Sequence, residues 1–577
     1  LKTGGNVKKS TTQYWDIVCT NVGGSEGFLA TSPSGIKYRF DKLRYLSATG
    51  LEKDYKVMGR NRAQMLATRV EDRFGNWVNY NYTGNNLTSI TSSDGRTITI
   101  GYGANGRIST IAANGRTWTY GYTTHGIFEY LTSVTWPNGQ SWSIDLYDLI
   151  AAEPVAGLLL TSSCTGRATA TGTITHPYGT KGTYTITETG HGRTNVPKQT
   201  NLNSANCTEP YHIQRSYDVL SLTQKKLEGP GLTTMVWDYS YSENQGGWAG
   251  DGTNPLKTTR VNKPDGSYDI HHFDRSWTYL EGAARKVQTY SATGSLLQTI
   301  DYDYMAGPGR GAVGELFYEN LAKNTTPKHQ TEVVTTRGAD VFTTEYTFNT
   351  NKYSSTFSFG NPIQIDQSNN FSSYAQVVDI AYLHDRSHWE LGRETTRKVG
   401  SETLSENIYD GNNRVKSVKQ YGVEVKEFSY HANGTMLWQE DALNNRITFA
   451  NWKRGIPQLI TYPDSTTHAF VVENNGWITR STDAKGYATD YDWDNIGRLE
   501  RVEYPTNDGI NRLDKVITYG LVTSSDLSIG GAGLLAGQYK QTKTRGDLRV
   551  TTYFDAMLRP VLSRTQDTGD ASLDRWT

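Results

Sequence analysis

The segment from Asp410 to Asp494 repeats with a period of 21 residues. Five copies follow one another without a change of register, and equivalent positions hold Asp410, His431, Trp452, Glu473 and Asp494. Three residues later, each copy has a residue suited to left-handed backbone: Asn413, Gly434, Gly455, Gly476 and Gly497. A fixed period of this length is typical of stacked supersecondary units that bury their surfaces against their neighbours. The repeat therefore predicts an extended array of small units.

The best-formed copy, residues 491–502, predicts what one unit looks like. Aromatic and apolar residues alternate with polar ones on both sides of the segment from Asp494 to Gly497, which is the period of half-buried strands flanking a turn. Gly497 would supply the positive φ of the turn, while Asp494 would accept hydrogen bonds from backbone N–H groups. In the last four copies an aromatic residue precedes the Asp position by three residues: Phe428, Phe449, Phe470 and Tyr491.

The same pattern is present near the N-terminus. Residues 87–90, 108–111 and 131–134 are similar alternating segments that recur after 21 and 23 residues. Asp-Gly and Asn-Gly pairs lie between such segments, and they are the strongest short-range signal for a β-hairpin. Helical periodicity is almost absent, apart from a weak case between Arg60 and Val70. The sequence therefore predicts an all-β fold.

Four regions differ in the regularity of this pattern. Residues 1–69 are an N-terminal segment that we expect to be β, and residues 70–147 hold the first regular repeats. Residues 148–400 read as degenerate β repeats with long loops, because the alternation persists while the period is lost. Residues 401–577 are regular again, with a Gly/Ser-rich insert at about 506–549.

Composition excludes two classes of function. Lys plus Arg and Asp plus Glu both number 58, so the net charge is zero and the basic footprint of a nucleic-acid binder is missing. No run approaches the roughly 18 apolar residues of a membrane-spanning helix. The chain is only 36% hydrophobic yet contains 37 Tyr, 14 Trp and 15 Phe. Such amphipathic aromatics suit a single-sheet wall, in which one ring edge touches water.

Three cysteines allow one disulfide bond. Cys164 and Cys207 both lie in Ser/Thr/Asn-rich stretches that read as loops. In an exported protein they could form a bridge worth about 4 kcal/mol in the chain-entropy model, which leaves Cys19 free. The alternative is three unpaired thiols in a cytosolic protein. The sequence predicts the bridge between Cys164 and Cys207.

Candidate chemical sites in the sequence have simpler structural explanations. Asp490, Asp492 and Asp494 superficially resemble a calcium loop, but Asn495 and Arg501 stand where that loop needs Gly and Glu. The adjacent His271 and His272 would point to opposite faces of a strand, so they cannot share a metal ion without distortion. The carboxylates of Asp301 and Asp303 share a strand face, but a wall of Tyr-Asp units produces such pairs by construction. We therefore predict no catalytic residue, no metal site and no cofactor.

The repeat signature resembles that of a known family. Residues 493–499, Trp-Asp-Asn-Ile-Gly-Arg-Leu, are similar to the RHS or YD repeat, and weaker copies occupy residues 409–415 and 554–560. Residues 70–77 resemble the stretch that opens the repeat region in many bacterial RHS proteins. The resemblance covers roughly residues 30–150 and 400–577. It implies a long β-sheet strip that spirals into a hollow shell, which in this chain would be partial or open.

The resemblance also implies a function. In bacterial toxin complexes and polymorphic toxins of this family, the shell encloses a C-terminal toxin domain, and in animal relatives it supports cell-surface adhesion. For this chain it implies a secreted or cell-surface bacterial scaffold whose partners are its own C-terminal domain or another cargo polypeptide and components of a delivery machine. The self-cleavage signature of such shells is not found before Thr577. Because the sequence starts at Leu1 and ends soon after a repeat signature, we expect it to be a piece of a larger protein.

Two other functions stay open at the level of sequence. An extracellular adhesion module could bind glycans through exposed Tyr and Trp rings, although such rings more often form the packing ladder of a sheet. A polysaccharide-active enzyme would need two close carboxylates in a cleft, one with a raised pKa. Aromatic residues that line a cargo-sized cavity would favour the scaffold, and an exterior aromatic patch would favour adhesion.

Overall fold

A computed structural model describes most of the chain. The described residues are 9–11, 13–22, 25–53, 56–126, 128–152, 168–196, 215–242, 244–306, 327–351, 354, 356–528 and 533–577. The predicted bridge between Cys164 and Cys207 lies outside these residues. Cys19 is within them and is an exposed, free thiol.

The strands of the first half are β1 Lys9–Ser10, β2 Asp16–Val22, β3 Ser25–Thr31, β4 Lys37–Lys53, β5 Lys56–Glu71, β6 Trp77–Thr83, β7 Asn86–Ser92, β8 Thr97–Tyr102, β9 Ile108–Ala113, β10 Arg116–His125, β11 Phe128–Thr135, β12 Ser141–Asp145, β13 Thr169–Thr175, β14 Lys181–Gly192, β15 Ser216–Gly229, β16 Leu232–Tyr241, β17 Leu256–Asn262, β18 Tyr268–Asp274, β19 Ala284–Tyr290 and β20 Leu296–Tyr304. Most strands of the first half are short, although β4 and β5 have 17 and 16 residues.

The second half continues in the same way. Its strands are β21 Gln330–Arg337, β22 Asp340–Thr347, β23 Gln364–Asn369, β24 Ala375–Asp385, β25 Glu390–Val399, β26 Glu402–Tyr409, β27 Val415–Gln420, β28 Val423–Tyr430, β29 Met436–Asp441, β30 Arg446–Ala450, β31 Leu459–Thr461, β32 Thr467–Val472, β33 Ile478–Thr482, β34 Ala488–Trp493, β35 Leu499–Glu503, β36 Lys515–Leu521, β37 Tyr539–Arg545, β38 Leu548–Phe554, β39 Pro560–Asp567 and β40 Arg575–Trp576. Helical structure in the described residues consists of α1 Tyr147–Ala151, α2 Ser524–Leu527 and a 3₁₀ turn at Ala571–Leu573.

Within four runs of strands, each strand pairs antiparallel with the next strand along the chain. This holds from β1 to β10 and from β11 to β22. It holds again from β24 to β35 and from β36 to β40. The prediction of an all-β chain of tandem hairpins is confirmed, and the weak helical pattern between Arg60 and Val70 belongs to a strand.

The chain forms two compact units, each made of separate stretches of sequence. Unit 1 consists of residues 1–119, 348–364 and 378–512, and unit 2 consists of residues 120–347, 365–377 and 513–577. Within unit 1, β9 is typical, because every one of its residues is half-buried. Unit 2 contains a small buried cluster of Val522, Leu534 and Tyr553, against which Leu562 and Trp576 pack. Partial burial of this kind fits the thin, aromatic-rich sheet that the composition predicts.

Candidate functional site

The turn of a repeat is held by its aspartate and arginine. Oδ1 of Asp494 accepts hydrogen bonds from the backbone N–H groups of Ile496 (3.0 Å) and Arg498 (2.8 Å), while Oδ2 accepts one from Nε of Arg498 (2.6 Å). The same three bonds recur at Asp410 and at Asp555. The Asp and Arg of the repeat signature are therefore two parts of one turn clasp, since each completes the hydrogen bonding of the other.

The predicted turn positions all have positive φ. Asn413 has a φ of 56°, and Gly434, Gly455, Gly476 and Gly497 have φ values of 86°, 79°, 90° and 92°. In four of the copies the N–H at this position donates to the carbonyl at the Asp position, for example from Gly497 to Asp494 at 3.0 Å. The exception is the third copy, where Lys453 and Ile456 exchange both backbone hydrogen bonds around a two-residue turn. There Arg454 also has a positive φ, of 56°.

An aromatic residue before the turn donates a hydrogen bond to a backbone carbonyl of the neighbouring strand, just beyond the part of that strand that is paired. The hydroxyl of Tyr430 donates to the carbonyl of Val415 at 2.9 Å, just outside the β27–β28 register, which begins at Ser417. Equivalent bonds are made by Tyr82, Tyr102, Tyr241, Tyr304, Tyr409, Trp452 and Trp493. The aromatics three residues before the Asp position were predicted as part of the repeat, but this role was not predicted. The Tyr of Tyr-Asp and its Trp equivalents were the available signal, because their rings, unlike that of Phe, carry a hydrogen-bond donor.

Hairpins from distant parts of unit 1 are joined at their turns. Glu390, whose side chain is only 4% exposed, forms ion pairs with Arg73 and, at 3.1 Å, with Arg393. Glu390 also forms a β-bridge with Ser34, and the N–H of Leu391 donates to the carbonyl of Pro33 at 2.7 Å. The turns at residues 32–36 and 72–76 thus both contact the start of β25.

The next contacts follow in the same order along both stretches of chain. Nδ2 of Asn76 donates to the carbonyl of Asn433 at 3.1 Å. Phe74 lies against Gly434, where an added Cβ would come within 2.4 Å of the ring. Gly434 is therefore needed for close approach as well as for its positive φ.

Two further contacts extend the series. Nη1 of Arg454 pairs with the carboxylate of Asp94 at 2.9 Å and donates to the carbonyl of the same residue at 2.8 Å. The guanidinium of Arg116 lies 4.9 Å from the centre of the Trp477 ring. The Asn76–Asn433 and Arg454–Asp94 contacts join residues 357 and 360 positions apart. We call this series, from Ser34–Glu390 to Arg116–Trp477, the unit 1 seam.

Unit 2 has a seam of its own. The hydroxyl of Thr180 donates to the carbonyl of Ala556, a residue 376 positions away. The centres of the Tyr178 and Tyr539 rings lie 4.4 Å apart. An added Cβ at Gly231 would meet Nε2 of Gln538 at 1.9 Å, and Gln538 is only 1% exposed. The turns after β13 and β15 therefore pack against Gln538 and Tyr539, where β37 begins, and against Ala556, just after β38.

Three of the turn carboxylates have pKa values below their usual range. Burial raises the pKa of Asp555, but the hydrogen bonds from Arg559 and Met557 outweigh burial, and the pKa lies below its usual range. Asp410 has a lowered pKa for the same combination of reasons, through Arg414 and Asn412. At the seam, burial likewise opposes the hydrogen bonds that Asp94 receives, and its pKa is well below the usual range. All three side chains act as charged acceptors at neutral pH.

Several carboxylates that resembled parts of chemical sites form ion pairs or cap turns. Asp490 forms an ion pair with Arg480 at 2.6 Å, and Asp494 caps its turn. Asp301 pairs with Lys286 and Asp303 with Arg285, both at 2.9 Å. These carboxylates are thus engaged with cations on neighbouring strands or with turn donors.

The two adjacent histidines belong to one strand, β18. Nε2 of His272 lies 3.0 Å from Oε1 of Gln288, while the ring of His271 stacks on Phe273. Among the described residues, no three His, Cys, Asp or Glu side chains are grouped so that they could hold a metal ion. None of the helices in the described ranges has the length and apolar character needed to cross a membrane.

Comparison with known proteins finds similarity among solved structures. No family model matches the chain, and no curated protein matches it. A chain of the TcdB2–TccC3 complex is similar at 10% identity and a TM-score of 0.28, with 90% of this chain and 32% of that chain covered. A chain of the Photorhabdus luminescens Tc holotoxin pore is similar at 10% identity and a TM-score of 0.18, with 96% and 32% covered. The present chain spans about a third of the length of these chains.

Proposed function

We propose that the chain is a structural scaffold, a wall of hairpins that encloses or presents a polypeptide cargo without catalysis of its own. The observation that carries this proposal is the unit 1 seam. Turns about 357 to 360 residues apart meet in matching order along it. Each hairpin already buries its strands against its neighbours, so the seam is an additional join between turns that are far apart in sequence.

The contacts of the seam support a stable connection between the two stretches of chain. Glu390 is almost completely buried, and removing one cation from a buried ion pair costs about 3–5 kcal/mol. The Phe74–Gly434 contact leaves no space for even a methyl group. These contacts join the turns of hairpins that are far apart along the strip. We infer that the strip acts as a container wall.

The cargo and the setting come from the resemblance to RHS or YD repeats. That resemblance makes a C-terminal toxin or effector domain, outside this sequence, the expected cargo. It also makes a secreted or cell-surface bacterial protein the expected setting, with delivery components as further partners. The adhesive and enzymatic alternatives have less support. Tyr430 and Trp493 use their polar atoms to cap carbonyls, and Asp301 and Asp303 are paired with cations.

Protease protection of a reporter tests this function. An unstructured reporter polypeptide is fused after Thr577, and its digestion is followed by mass spectrometry in the unaltered chain and in an Arg73→Ala variant. We expect the reporter to resist digestion in the unaltered chain and to be cleaved at least tenfold faster in the variant. The matched control is Arg480→Ala, which removes an exposed Arg–Asp pair away from the seam. A reporter that is digested equally fast in all three proteins would overturn the proposal.

A further inference from the structure

A two-stranded ribbon in unit 1 continues past the strands that flank it. The register between β4 and β5 runs from Lys37–Glu71 to Lys53–Lys56. β3 pairs with β4 only as far as Phe40, and β6 pairs with β5 only from Arg69 onward. We call residues 42–53 and 56–66 the arm. Within the described residues, neither outer edge of the arm has a partner strand, and at about 3.3 Å per residue β4 extends roughly 40 Å beyond Asp41.

The base of the arm is fixed by a bulge. The β4–β5 register shifts twice here: between Arg39 and Phe40, which leaves Thr68 as an extra residue on β5, and between Phe40 and Lys42, which leaves Asp41 as an extra residue on β4. The carboxylate of Asp41 accepts a hydrogen bond from the hydroxyl of Thr68 at 2.5 Å. Bulges bend a strand and increase its twist, and they are typical of positions where pairing with a neighbour ends. The arm therefore leaves the sheet at a built junction.

The arm carries a concentration of positive charge. Its described side chains, at residues 42–47 and 58–66, include Lys42, Arg44, Arg60 and Arg62 and no acidic residue, in a chain whose net charge is zero. Lys42 and Arg44 lie on one face, because residues two apart on a strand point to the same side. Nη2 of Arg44 donates to Gln64 at 2.7 Å, whereas its Nε has no acceptor among the described residues.

The opposite face of the arm is apolar and exposed. Leu43 is 45% exposed and Tyr45 is 61% exposed. Lysines and arginines on an edge strand commonly protect it from pairing with other chains. That protective role would explain the charges, but it would not explain two large apolar side chains left open beside a free strand edge.

We propose that the arm binds an extended polypeptide segment in which acidic and apolar residues alternate. The segment would add to the free edge of β4 as a strand, so that backbone hydrogen bonds supply affinity and alternate side chains supply specificity. Its apolar side chains would lie beside Leu43 and Tyr45, and its carboxylates beside Lys42 and Arg44. This interaction does not depend on the container function, because the arm edge is separate from the unit 1 seam.

Peptide binding tests the proposal directly. The probe is a fluorescein-labelled peptide of alternating Val and Glu, and binding to the full chain is followed by fluorescence anisotropy. We expect binding by this peptide and at least tenfold weaker binding by three others: an alternating Val and Lys peptide, a peptide with the Glu residues in one block, and an N-methylated Val/Glu peptide that cannot form ladder hydrogen bonds. Equal binding of the N-methylated peptide would overturn strand addition, and absence of binding by the Val/Glu peptide would overturn the whole proposal.

Variants locate the binding on the arm. Lys42→Glu combined with Arg62→Glu is expected to weaken Val/Glu binding at least tenfold, and Tyr45→Ser at least threefold. The matched control is Lys416→Glu combined with Lys485→Glu, which makes the same charge change at exposed positions outside the arm and is expected to bind normally. Equal weakening in the control, or equally tight arm-dependent binding of a single-stranded oligothymidylate, would overturn the proposal. Hydrogen exchange of the unaltered chain provides a check without substitution, because the peptide should slow exchange at residues 42–47 and leave residues 97–102 unchanged.

Discussion

Gly434 lies against Phe74 across the unit 1 seam, and an added Cβ at position 434 would come within 2.4 Å of Cδ2 of the ring. Gly476 occupies the equivalent position two copies later and has a similar φ, 90° against 86°. An added Cβ there would meet its nearest neighbour, Cβ of Arg454, at an ordinary 3.8 Å. Substitutions at the two glycines therefore separate the free-energy cost of left-handed backbone from that of packing at the seam.

Gly476→Ala is expected to lower the free energy of unfolding by about 1–2 kcal/mol, the cost of placing a β-carbon in left-handed backbone. Gly434→Ala should cost a further 1–3 kcal/mol or so, because the methyl group must displace a packed ring. Urea denaturation followed by far-UV circular dichroism measures both values. Equal losses in the two variants would contradict the close approach at Phe74.

The buried pair of Arg73 and Glu390 should matter more than an exposed pair. Arg73→Met leaves the Glu390 carboxylate with Arg393 as its remaining cation, and the free energy of unfolding is expected to fall by about 3 kcal/mol. Glu390→Leu removes the other partner, and combining both changes should cost less than the sum of the single losses, with a coupling energy of about 1–3 kcal/mol. Arg480→Ala breaks an exposed ion pair and should leave stability nearly unchanged. A coupling energy near zero would show that the seam pair is not formed.

The aromatic caps can be tested by removing a single oxygen atom. Tyr430→Phe leaves the carbonyl of Val415 without its donor and is expected to cost about 1–2 kcal/mol. Tyr421 is a suitable control, because it lies in a neighbouring turn and is 64% exposed. Tyr421→Phe should change the free energy of unfolding by less than about 0.5 kcal/mol. Similar small effects in both variants would mean that the Tyr430 hydroxyl contributes nothing beyond its ring.

Local parts of this fold could be predicted from the sequence because they depend on residues close together in the chain. The turn at Asp494 follows from short-range chemistry, since a carboxylate, a residue with positive φ and an arginine must meet within a few positions. At Gly455 the predicted positive φ is present, but the type of turn differs from that of the other copies. Arg454 shares the left-handed backbone there and produces a two-residue turn, and nothing in the 21-residue period signals that change.

The seam could not be predicted in this way. Asn76 and Asn433 are 357 residues apart, so their pairing does not follow from the sequence of any single hairpin. Gly434 is an example, because its place in the repeat predicts its positive φ but does not predict its contact with Phe74. Two residues whose contact depends on accumulated twist leave no periodic signal in a single sequence.

The turn clasps should make the protein sensitive to acid. The pKa of Asp555 is lowered in the folded chain, because the hydrogen bonds from Arg559 and Met557 outweigh the opposing effect of burial. A carboxyl with a lowered folded pKa contributes stability that is present above the unfolded pKa of about 3.9 and is lost as the pH falls through the folded value. Urea denaturation should therefore show lower stability at pH 3 than at pH 7. Asp555→Asn should be less stable at pH 7 and should lose less on acidification than the unaltered chain, whereas an identical pH dependence would show that Asp555 is not the charged acceptor of its turn.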